Sequence, residues 1–264
     1  MNYSKIRKTL TFALQIAAIA LIAAIFILTC LPIHVPYEEA AVAIAREPAV
    51  ATEVPVVEPV ATPATKLIAL SFDDGPTPTV TNKVLDSLEK YHARATFFVV
   101  GRQVKQARSL VKRAVNLGCE IGNHTWDHKS MAQYKGDKLV TSLQKTVDVV
   151  KKYADYDVTL ARPTYGVINA KVKDKVSFPL VSWNVDTDDW KSKSVKQIMK
   201  KIKGNKVSDG DIILMHDLHP LTAKAIAKMI PYLQKKGYEL VTVSELMQRR
   251  GIDMKKGVVY YSAD

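Results

Sequence analysis

The chain of 264 residues has few cysteines and few glycines and no persistent heptad pattern. Two cysteines cannot form a disulfide scaffold, 11 glycines exclude a collagen-like repeat, and the missing heptads exclude a coiled coil. The mean hydropathy of −0.04 is too low for a protein that crosses a membrane many times. The remaining composition, 47% apolar and 24% charged, is that of a soluble globular protein. We expect Cys119 in the core and Cys30 in a separate apolar run, so no intramolecular disulfide is expected.

The first 31 residues have the pattern of a membrane signal. Residues 1–8 form a basic end, and residues 9–31 are an uncharged apolar run. A helix needs ~20 such residues to cross a bilayer, whereas the apolar core of a cleaved signal is usually ~7–15 residues long. Basic residues before the run and acidic residues after it predict a cytoplasmic N-terminus and an extracytoplasmic remainder. We expect a single-pass signal anchor in the cell membrane. Secretion after cleavage and lipid attachment at Cys30 are the alternatives.

Residues 32–65 have the composition of a disordered linker. Five of the chain's 12 prolines lie between positions 36 and 63, among many Ala and Val residues and no Gly. Proline interrupts helices and sheets, and the scarcity of large side chains leaves little to pack. Residues 1–65 carry four basic and five acidic side chains, so the chain's net charge of +12 leaves +13 for residues 66–264.

From Lys66 onward, short apolar strands alternate with amphipathic helices. Residues 67–72 form an apolar strand before an Asp-Asp-Gly-Pro turn, residues 79–91 a helix, and residues 95–100 a second strand. Further helices are predicted over 109–117, 138–153, 194–202, 221–236 and up to 250, and further strands over 120–122, 180–183, 212–215 and 239–243. Parallel strands need such crossovers, so the pattern predicts an α/β fold with a parallel sheet. About seven repeats favour a distorted, incomplete (β/α) barrel over residues 66–264.

Side chains capable of chemistry cluster at the predicted strand ends. Asp73 and Asp74 end the first strand, where one carboxylate can bind a cation while the other acts as a base. His124 and His128 follow another strand, and two imidazoles with one carboxylate are a catalytic zinc pattern. A polar turn and scattered histidines would explain each pair alone. The carboxyl ends of parallel barrel strands form the face that carries active sites, which favours a common site.

Three more clusters follow predicted strands in chain order. They lie at residues 162–166, 186–190 and 214–216. Each has an ordinary structural explanation on its own, as a surface charge, a core aromatic or a buried histidine. Five polar clusters on five successive strand ends are not expected by chance.

The five segments resemble the motifs of polysaccharide deacetylases of the NodB-homology type, metal-dependent N-deacetylases of chitin oligomers and bacterial peptidoglycan. The matching segments are Ser71-Phe-Asp-Asp-Gly-Pro76, His124-Thr-x-x-His128, Arg162-Pro-x-Tyr-Gly166, Asp186-Thr-x-Asp-Trp190 and Leu214-x-His216. The resemblance covers roughly residues 66–250 and implies the same distorted (β/α) barrel. Membrane-anchored peptidoglycan N-acetylglucosamine deacetylases are the members that the chain resembles most.

The resemblance implies a metal site and a base. Asp74, His124 and His128 would bind one divalent metal ion, Zn²⁺ in the first place, with Co²⁺ or Ni²⁺ as alternatives. Asp73 would be the general base, and the backbone N–H of Tyr165 would help to bind the oxyanion. Such a site suits amide hydrolysis, because zinc lowers the pKa of a bound water toward ~7 and polarises the carbonyl group.

The resemblance also implies how the base and the acid are held. Arg162 would orient Asp73, and Asp186 would pair with His216, the general acid. A carboxylate beside His216 would raise its pKa and keep it protonated for the departing amine. Trp190 and Leu214 would line a small pocket for the acetyl methyl group. His219 is expected on a surface loop, with the groove rim as the alternative.

The basic, extracytoplasmic domain suits an acidic cell-wall polymer as substrate. We expect N-acetylglucosamine of peptidoglycan; N-acetylmuramic acid, chitin oligomers, an exopolysaccharide and acetylated xylan are the alternatives. A non-catalytic wall-binding protein on the same scaffold would have lost a metal ligand, the base or the acid, and the sequence retains all of them. No nucleic-acid partner is expected, because the chain has an export signal and lacks an aromatic–basic stripe. No obligate protein partner is implied.

Overall fold

The structure, a computed structural model, describes residues 66–204 and 206–263. The basic end over residues 1–8, the predicted signal anchor over 9–31 and the linker over 32–65 lie outside these residues, as does Cys30. Within the described part of the chain, no helix is both long and apolar enough to cross a bilayer.

The first strand, β1 (Lys66–Asp73), lies at the centre of the sheet. All of its residues except Lys66 are buried, as expected for an apolar strand with neighbours on both edges. It runs parallel to β2 (Thr96–Val99), to β6 (Ile212–His216) and, along its first half, to β7 (Tyr238–Val241). The position of β1 therefore fixes the relative positions of three other strands.

Shorter strands extend the sheet on both sides. β3 (Glu120–Asn123) pairs with β2 and β5 (Val185–Asp186) with β6, which gives the order β3-β2-β1-β6-β5. The strands β4 (Leu180–Val181) and β8 (Val259–Tyr260) pair with each other, and Ala161 bridges β3 to β4. All strand ladders in the described residues are parallel. The predicted α/β fold with parallel strands is confirmed.

Amphipathic helices cover the sheet between the strands. In the first of them, Val84 and Leu88 recur at the helical spacing and are fully buried. Two later helices begin with side-chain caps, since Ser194 accepts from the N–H of Gln197 and Thr242 from that of Glu245. The helices are α1 (Val80–Lys90), α2 (Gly101–Gln106), α3 (Arg108–Asn116), α4 (Lys138–Ala154), α5 (Ala170–Lys175), α6 (Val195–Lys200), α7 (Pro220–Lys235) and α8 (Val243–Arg249), with 3₁₀ turns at Met131–Gln133 and Thr164–Gly166.

The helices α2 and α5 were not predicted, and each buries at most two of its six residues. Six residues make fewer than two helical turns, so such a segment gives a weak periodic signal; in the equally short α6 the buried Ile202 just beyond its end reinforced that signal. The strand predicted over 180–183 ends at Val181. The reason is that the carbonyl groups of Val181 and Ser182 accept hydrogen bonds from the side chain of Arg162.

A tightly packed position links the sheet to this arginine. Phe98 on β2 is fully buried, and its ring lies 4.1 Å from the guanidinium carbon of Arg162. Gly122 on the neighbouring β3 faces the same ring, so that a Cβ atom there would lie 2.4 Å from Cδ1 of Phe98. Glycine is therefore required at position 122 by the size of the phenylalanine.

Substitution of Gly122 by Ala should destabilise the fold by about 1–3 kcal/mol, the usual cost of overpacking a core. Thermal unfolding of the full chain would measure the effect. Phe98→Leu alone should also destabilise the fold, through lost packing. The double variant should be more stable than the sum of the two losses predicts, because a smaller residue makes room for the methyl group. Strict additivity would show that the two side chains do not compete for this space.

Candidate active site

The carboxyl ends of the parallel strands meet at one edge of the sheet and form a groove. The register places Asp73, the last residue of β1, beside His216 at the end of β6. His124 follows β3 directly. The groove has a volume of about 440 Å³, and it is lined by Asp73, Asp74, His124, His128, Tyr165, Trp183, Asp186, Trp190, Leu214, His216 and His219. Nine of the ten residues implied by the sequence resemblance line this groove. The tenth, Arg162, does not line it but donates a hydrogen bond to Asp73, which does.

Three of these residues form a metal-ligand cluster. The ligand atoms of Asp74, His124 and His128 all lie within 4.8 Å of one another. Oδ1 of Asp74 is 2.7 Å from Nε2 of His128 and 3.4 Å from Nε2 of His124. Nδ1 of His124 lies 2.8 Å from the carbonyl oxygen of Arg162, to which it must donate. Nδ1 therefore carries a proton, and Nε2 is the ring nitrogen that faces Asp74.

The charge and hydrogen bonding of Asp74 fit a cation. Burial alone would raise the pKa of Asp74, but its close contacts with the imidazoles of His124 and His128 outweigh burial and hold the pKa well below its ordinary value. The carboxylate is thus ionised at neutral pH. Its Oδ1 is nevertheless buried without a hydrogen bond of proper geometry among the described residues. One carboxylate and two imidazoles that converge on one point are the donor set that zinc and similar divalent ions bind.

The loops at this edge contain non-glycine residues with positive φ angles, which are uncommon. Five of the seven non-glycine residues with positive φ in the described chain lie here: Asp74, Thr125, His128, Tyr165 and Asp188. Such conformations cost of order 1–3 kcal/mol each, and they persist only where the surrounding structure enforces them. Their concentration around the groove indicates that positioning of side chains takes precedence over local stability there.

Asp73 is held by a fully buried arginine. Nη1 of Arg162 donates to Oδ1 of Asp73 at 2.8 Å and to Oγ of Ser71 at 2.9 Å. The remaining guanidinium contacts go to the carbonyl groups of Val181 and Ser182. Burial lowers the pKa of Arg162, and the charge and hydrogen bond of Asp73 oppose this effect. The ion pair therefore fixes one oxygen of Asp73 and leaves Oδ2 directed toward His124, at 3.7 Å from its Nε2.

His216 lies across the groove and is paired with a buried carboxylate. Nδ1 of His216 is 2.8 Å from Oδ1 of Asp189, whose Oδ2 accepts from the backbone N–H of His216 and from the hydroxyl of Thr222. Burial lowers the pKa of His216. The hydrogen bond to Asp189 and the charges of Asp73, Asp189 and Asp74 outweigh it and raise the pKa to about 9. His216 therefore carries a proton at neutral pH.

Comparison with known proteins identifies the family. The model of the polysaccharide deacetylases matches residues 61–178, and that of the divergent polysaccharide deacetylases matches residues 127–247. A solved family 4 acetyl xylan esterase from Clostridium thermocellum, in complex with a cobalt ion, is 37% identical and overlays with a TM-score of 0.70. The overlay covers 75% of this chain and 98% of the esterase chain. The chain belongs to the polysaccharide deacetylase family.

Several relatives in this family are named for peptidoglycan, and two of them show how similar they are. The peptidoglycan-N-acetylglucosamine deacetylase of Listeria monocytogenes is 40% identical over 181 residues, which are 69% of this chain. The peptidoglycan-N-acetylmuramic acid deacetylase PdaC of Bacillus subtilis is 40% identical over 184 residues, 70% of this chain. The aligned part spans only 39% of the length of each relative. A solved structure of PdaC is 38% identical and overlays with a TM-score of 0.69 over 72% of this chain and 94% of that chain.

One contact expected from the deacetylase motifs is wrong. Asp186 was expected to pair with His216, but the structure gives that contact to Asp189. Oδ1 of Asp186 instead accepts from the N–H of Asp188 and closes a turn after β5. The positive φ of Asp188 then reverses the chain, so that Asp189 points back toward His216. Three carboxylates within four residues look equivalent in the sequence, and only the turn distinguishes them.

The sequence prediction also missed parts of the groove wall. For His219 a surface loop was expected, with the groove rim as the alternative; the structure bears out the alternative, since His219 lines the groove with its ring centroid 6.3 Å from that of His216. Trp183 lines the groove as well and had not been singled out. Tyr165 and Trp190, both expected, lie at the mouth with 68% and 55% of their surfaces exposed, whereas Leu214 is buried at the floor.

A second buried carboxyl group supports the Asp73–Asp74 turn and was also missed. Asp217 accepts a short hydrogen bond from the hydroxyl of Thr81, and its N–H donates to the carbonyl group of Asp73. Burial raises the pKa of Asp217 to about 7. A Cβ atom on Gly75 would lie 2.1 Å from both of its carboxyl oxygens, so glycine at this position makes room for Asp217 beneath the turn.

The pairing of His216 can be tested by titration. Asp189→Asn should lower the pKa of His216 from about 9 toward neutral, because it removes the carboxylate that stabilises the imidazolium. Since the raised pKa keeps His216 protonated below about 9, the variant should lose that proton at a lower pH. NMR titration of the His216 imidazole in the metal-free protein measures both values.

The matched control is Asp186→Asn, which removes a carboxylate from the same loop without touching His216. It should leave the titration of His216 nearly unchanged. A shift with Asp186→Asn and none with Asp189→Asn would restore the pairing expected from the sequence and refute the one observed.

Proposed function

We propose that the protein is a metal-dependent hydrolase that removes N-acetyl groups from N-acetylglucosamine in peptidoglycan. The observation that carries the proposal is the meeting, in one groove, of the Asp74–His124–His128 cluster, the arginine-held carboxylate of Asp73 and the protonated His216. Amide hydrolysis needs an activated water, stabilisation of a tetrahedral oxyanion and a proton for the departing amine. The groove has a group for each.

Asp74, His124 and His128 would hold one divalent cation, with Zn²⁺ as the first candidate and Co²⁺ or Ni²⁺ as alternatives. When bound, such a cation polarises the amide carbonyl group and lowers the pKa of a water ligand. Two imidazoles and one carboxylate leave coordination positions open for water and substrate. The carbonyl group of Arg162 fixes the tautomer of His124, the kind of outer contact that orients metal-binding histidines.

Asp73 is the general base in this proposal. Its Oδ1 is occupied by Arg162, so Oδ2 is the oxygen that takes the proton from the attacking water. Oδ2 already faces the metal-ligand cluster, 3.7 Å from Nε2 of His124. Arg162 acts as a positioning residue, since it holds Asp73 through a buried ion pair and has no place in the groove lining itself.

His216 is the general acid. Its Nδ1 is engaged by Asp189, so the proton on Nε2 is the one available to the leaving amine. A pKa raised to about 9 keeps that proton in place at neutral pH. The backbone N–H of Tyr165 would help to stabilise the oxyanion, and Trp190 and Leu214 would form the small apolar pocket that admits an acetyl methyl group.

Peptidoglycan is the substrate that the similarities and the charge support best. The two relatives named above act on peptidoglycan according to their names, although on different sugars. A net charge of +13 over residues 66–264 favours an acidic polymer. N-acetylmuramic acid is the strongest alternative, because PdaC is named for it at the same level of identity. Chitin oligomers, an exopolysaccharide and acetylated xylan are the remaining alternative substrates.

We further propose that residues 9–31 anchor the chain in the cell membrane and that residues 32–65 hold the catalytic domain outside the cell. The uncharged run of 23 residues and the basic residues before it support this arrangement. Secretion after cleavage is the alternative for the same segment.

Two substitutions separate metal binding from catalysis. Asp73→Asn should abolish acetate release from peptidoglycan but retain the metal, because the proton acceptor is lost while Asp74, His124 and His128 remain. His128→Ala should lose metal and activity together. Elemental analysis of the purified full chain and quantification of released acetate measure the two properties on each variant.

His92→Ala provides the matched control, since His92 is an exposed histidine that does not line the groove. It should keep both metal and activity. Unchanged acetate release from Asp73→Asn would remove Asp73 from the role of base. A His128→Ala variant that retained both properties would refute the metal-ligand cluster.

A further inference from the structure

A dense group of lysines lies immediately after the groove residue Trp190. Residues 191–206 contain seven lysines, no arginine and no acidic residue, and so carry +7 of the chain's net +12. All seven side chains are exposed. This lysine patch consists of Lys191, Lys193, Lys196, Lys200, Lys201, Lys203 and Lys206.

Most of the charge on the lysine patch is uncompensated. Asp188 pairs with Lys191 at 2.9 Å and with Lys201 at 2.5 Å. Lys203 lies over the ring of Tyr232. Within residues 66–204 and 206–263, no carboxylate pairs with the other five lysines of the patch. Neighbouring like charges repel one another, so a surface of this kind gains free energy when a polyanion binds to it.

The lysine patch is shaped by one helix and two clefts. Lys196 and Lys200, four residues apart on α6, share a face of that helix. Two open clefts of about 470 and 540 Å³ flank this face, and Lys200 and Lys206 line both of them. Lys228 on α7 lines the second cleft and adds another positive charge. A flexible anionic chain can therefore contact several ammonium groups along the surface.

The patch adjoins the groove through a short loop. Asp186 and Trp190 line the groove, and Asp188 between them holds Lys191 and Lys201. Lys191 also lies over the ring of Trp190, with its Nζ 5.2 Å from the ring centroid. A polymer bound to the lysine patch therefore lies next to the mouth of the groove.

We propose that the lysine patch is a docking surface for a phosphodiester-linked anionic polymer of the cell envelope. Lysine binds phosphate as a point charge, and the segment has no arginine, whose planar fork grips a single carboxylate or phosphate in bidentate fashion. Seven separate point charges suit a flexible chain with one negative charge per unit, as in a phosphodiester polymer. Among the described residues, no large hydrophobic side chain between 191 and 206 is exposed, and the exposed Trp190 beside the patch lies against Lys191, which disfavours insertion of the patch into a membrane. Docking is independent of the proposed deacetylation, because it uses none of the groove residues.

The test measures binding of a fluorescent poly(glycerol phosphate) to the full chain in zwitterionic nanodiscs. Binding should weaken steeply between low and high salt, as expected when several phosphate charges are neutralised. The variant Lys196→Gln/Lys200→Gln/Lys206→Gln should weaken it about tenfold or more at low salt, because three of the contacting charges are lost. The control Lys83→Gln/Lys112→Gln/Lys173→Gln removes three exposed lysines on α1, α3 and α5 that pair with no described carboxylate.

The control variant should bind the polymer within about twofold of the unchanged chain, since the same net charge is lost at sites away from the patch. An equal loss in both triple variants would show that net charge alone attracts the polymer, and no binding by the unchanged chain would also overturn the proposal.

In parallel, the polymer is replaced by phosphatidylglycerol vesicles or by single-stranded DNA of matched charge. Tighter, patch-dependent binding of either would assign the surface to that partner instead. Acetate release from a soluble chitin oligomer should be the same in all three proteins, which separates docking from turnover.

Discussion

The buried ion pair between Arg162 and Asp73 is the interaction on which the arrangement of the groove depends. The guanidinium group reaches β1 through Ser71 and Asp73 and the β4 region through two carbonyl groups, and it stacks on Phe98. Removal of one partner from such a pair typically costs about 3–5 kcal/mol, because the other charge stays buried and uncompensated. The main chain of the same residue also orients a metal-ligand candidate, because the carbonyl group of Arg162 accepts from Nδ1 of His124. Arg162 thus positions both the proposed general base, Asp73, and one member of the metal-ligand cluster, His124.

The central strands of the sheet are buried, and the groove is built from loops with strained backbone at the edge of the sheet. β1 is buried from its second residue to Asp73, where it meets β2 and β6 in register. Immediately beyond, Asp74 takes a positive φ, as do Thr125 and His128 after β3. The strands fix where each loop starts, and the buried Asp217 beneath the first turn limits how that turn can move. Precision at the groove therefore comes from the sheet, at a local cost in the loops.

Sequence patterns predicted the strands with continuous apolar runs and the helices with a repeated apolar face. The apolar runs of β1 and β6 and the amphipathic faces of α1 and α7 were recognisable, and with them the strand ends that carry Asp73 and His216. The short helices α2 and α5 were missed, since six residues make fewer than two turns and give a weak periodic signal. The exchange of Asp186 for Asp189 was missed because it depends on one backbone reversal at Asp188, which no spacing rule contains. Trp183, which the segment between β4 and β5 brings to the groove, was missed because nothing in the sequence distinguishes it from an aromatic residue of the core.

The most direct test of the central claim uses the full chain and purified, N-acetylated peptidoglycan. Released acetate is quantified in the presence of a chelator and after addition of Zn²⁺, and the modified sugar is located by mass spectrometry. We expect loss of acetyl groups from N-acetylglucosamine that the chelator abolishes and zinc restores. Acetate release from N-acetylmuramic acid alone would show that this sugar, and not N-acetylglucosamine, is the one deacetylated. Acetate release that the chelator does not change, or no release from a chain that binds zinc, would refute metal-dependent deacetylation of peptidoglycan by this protein.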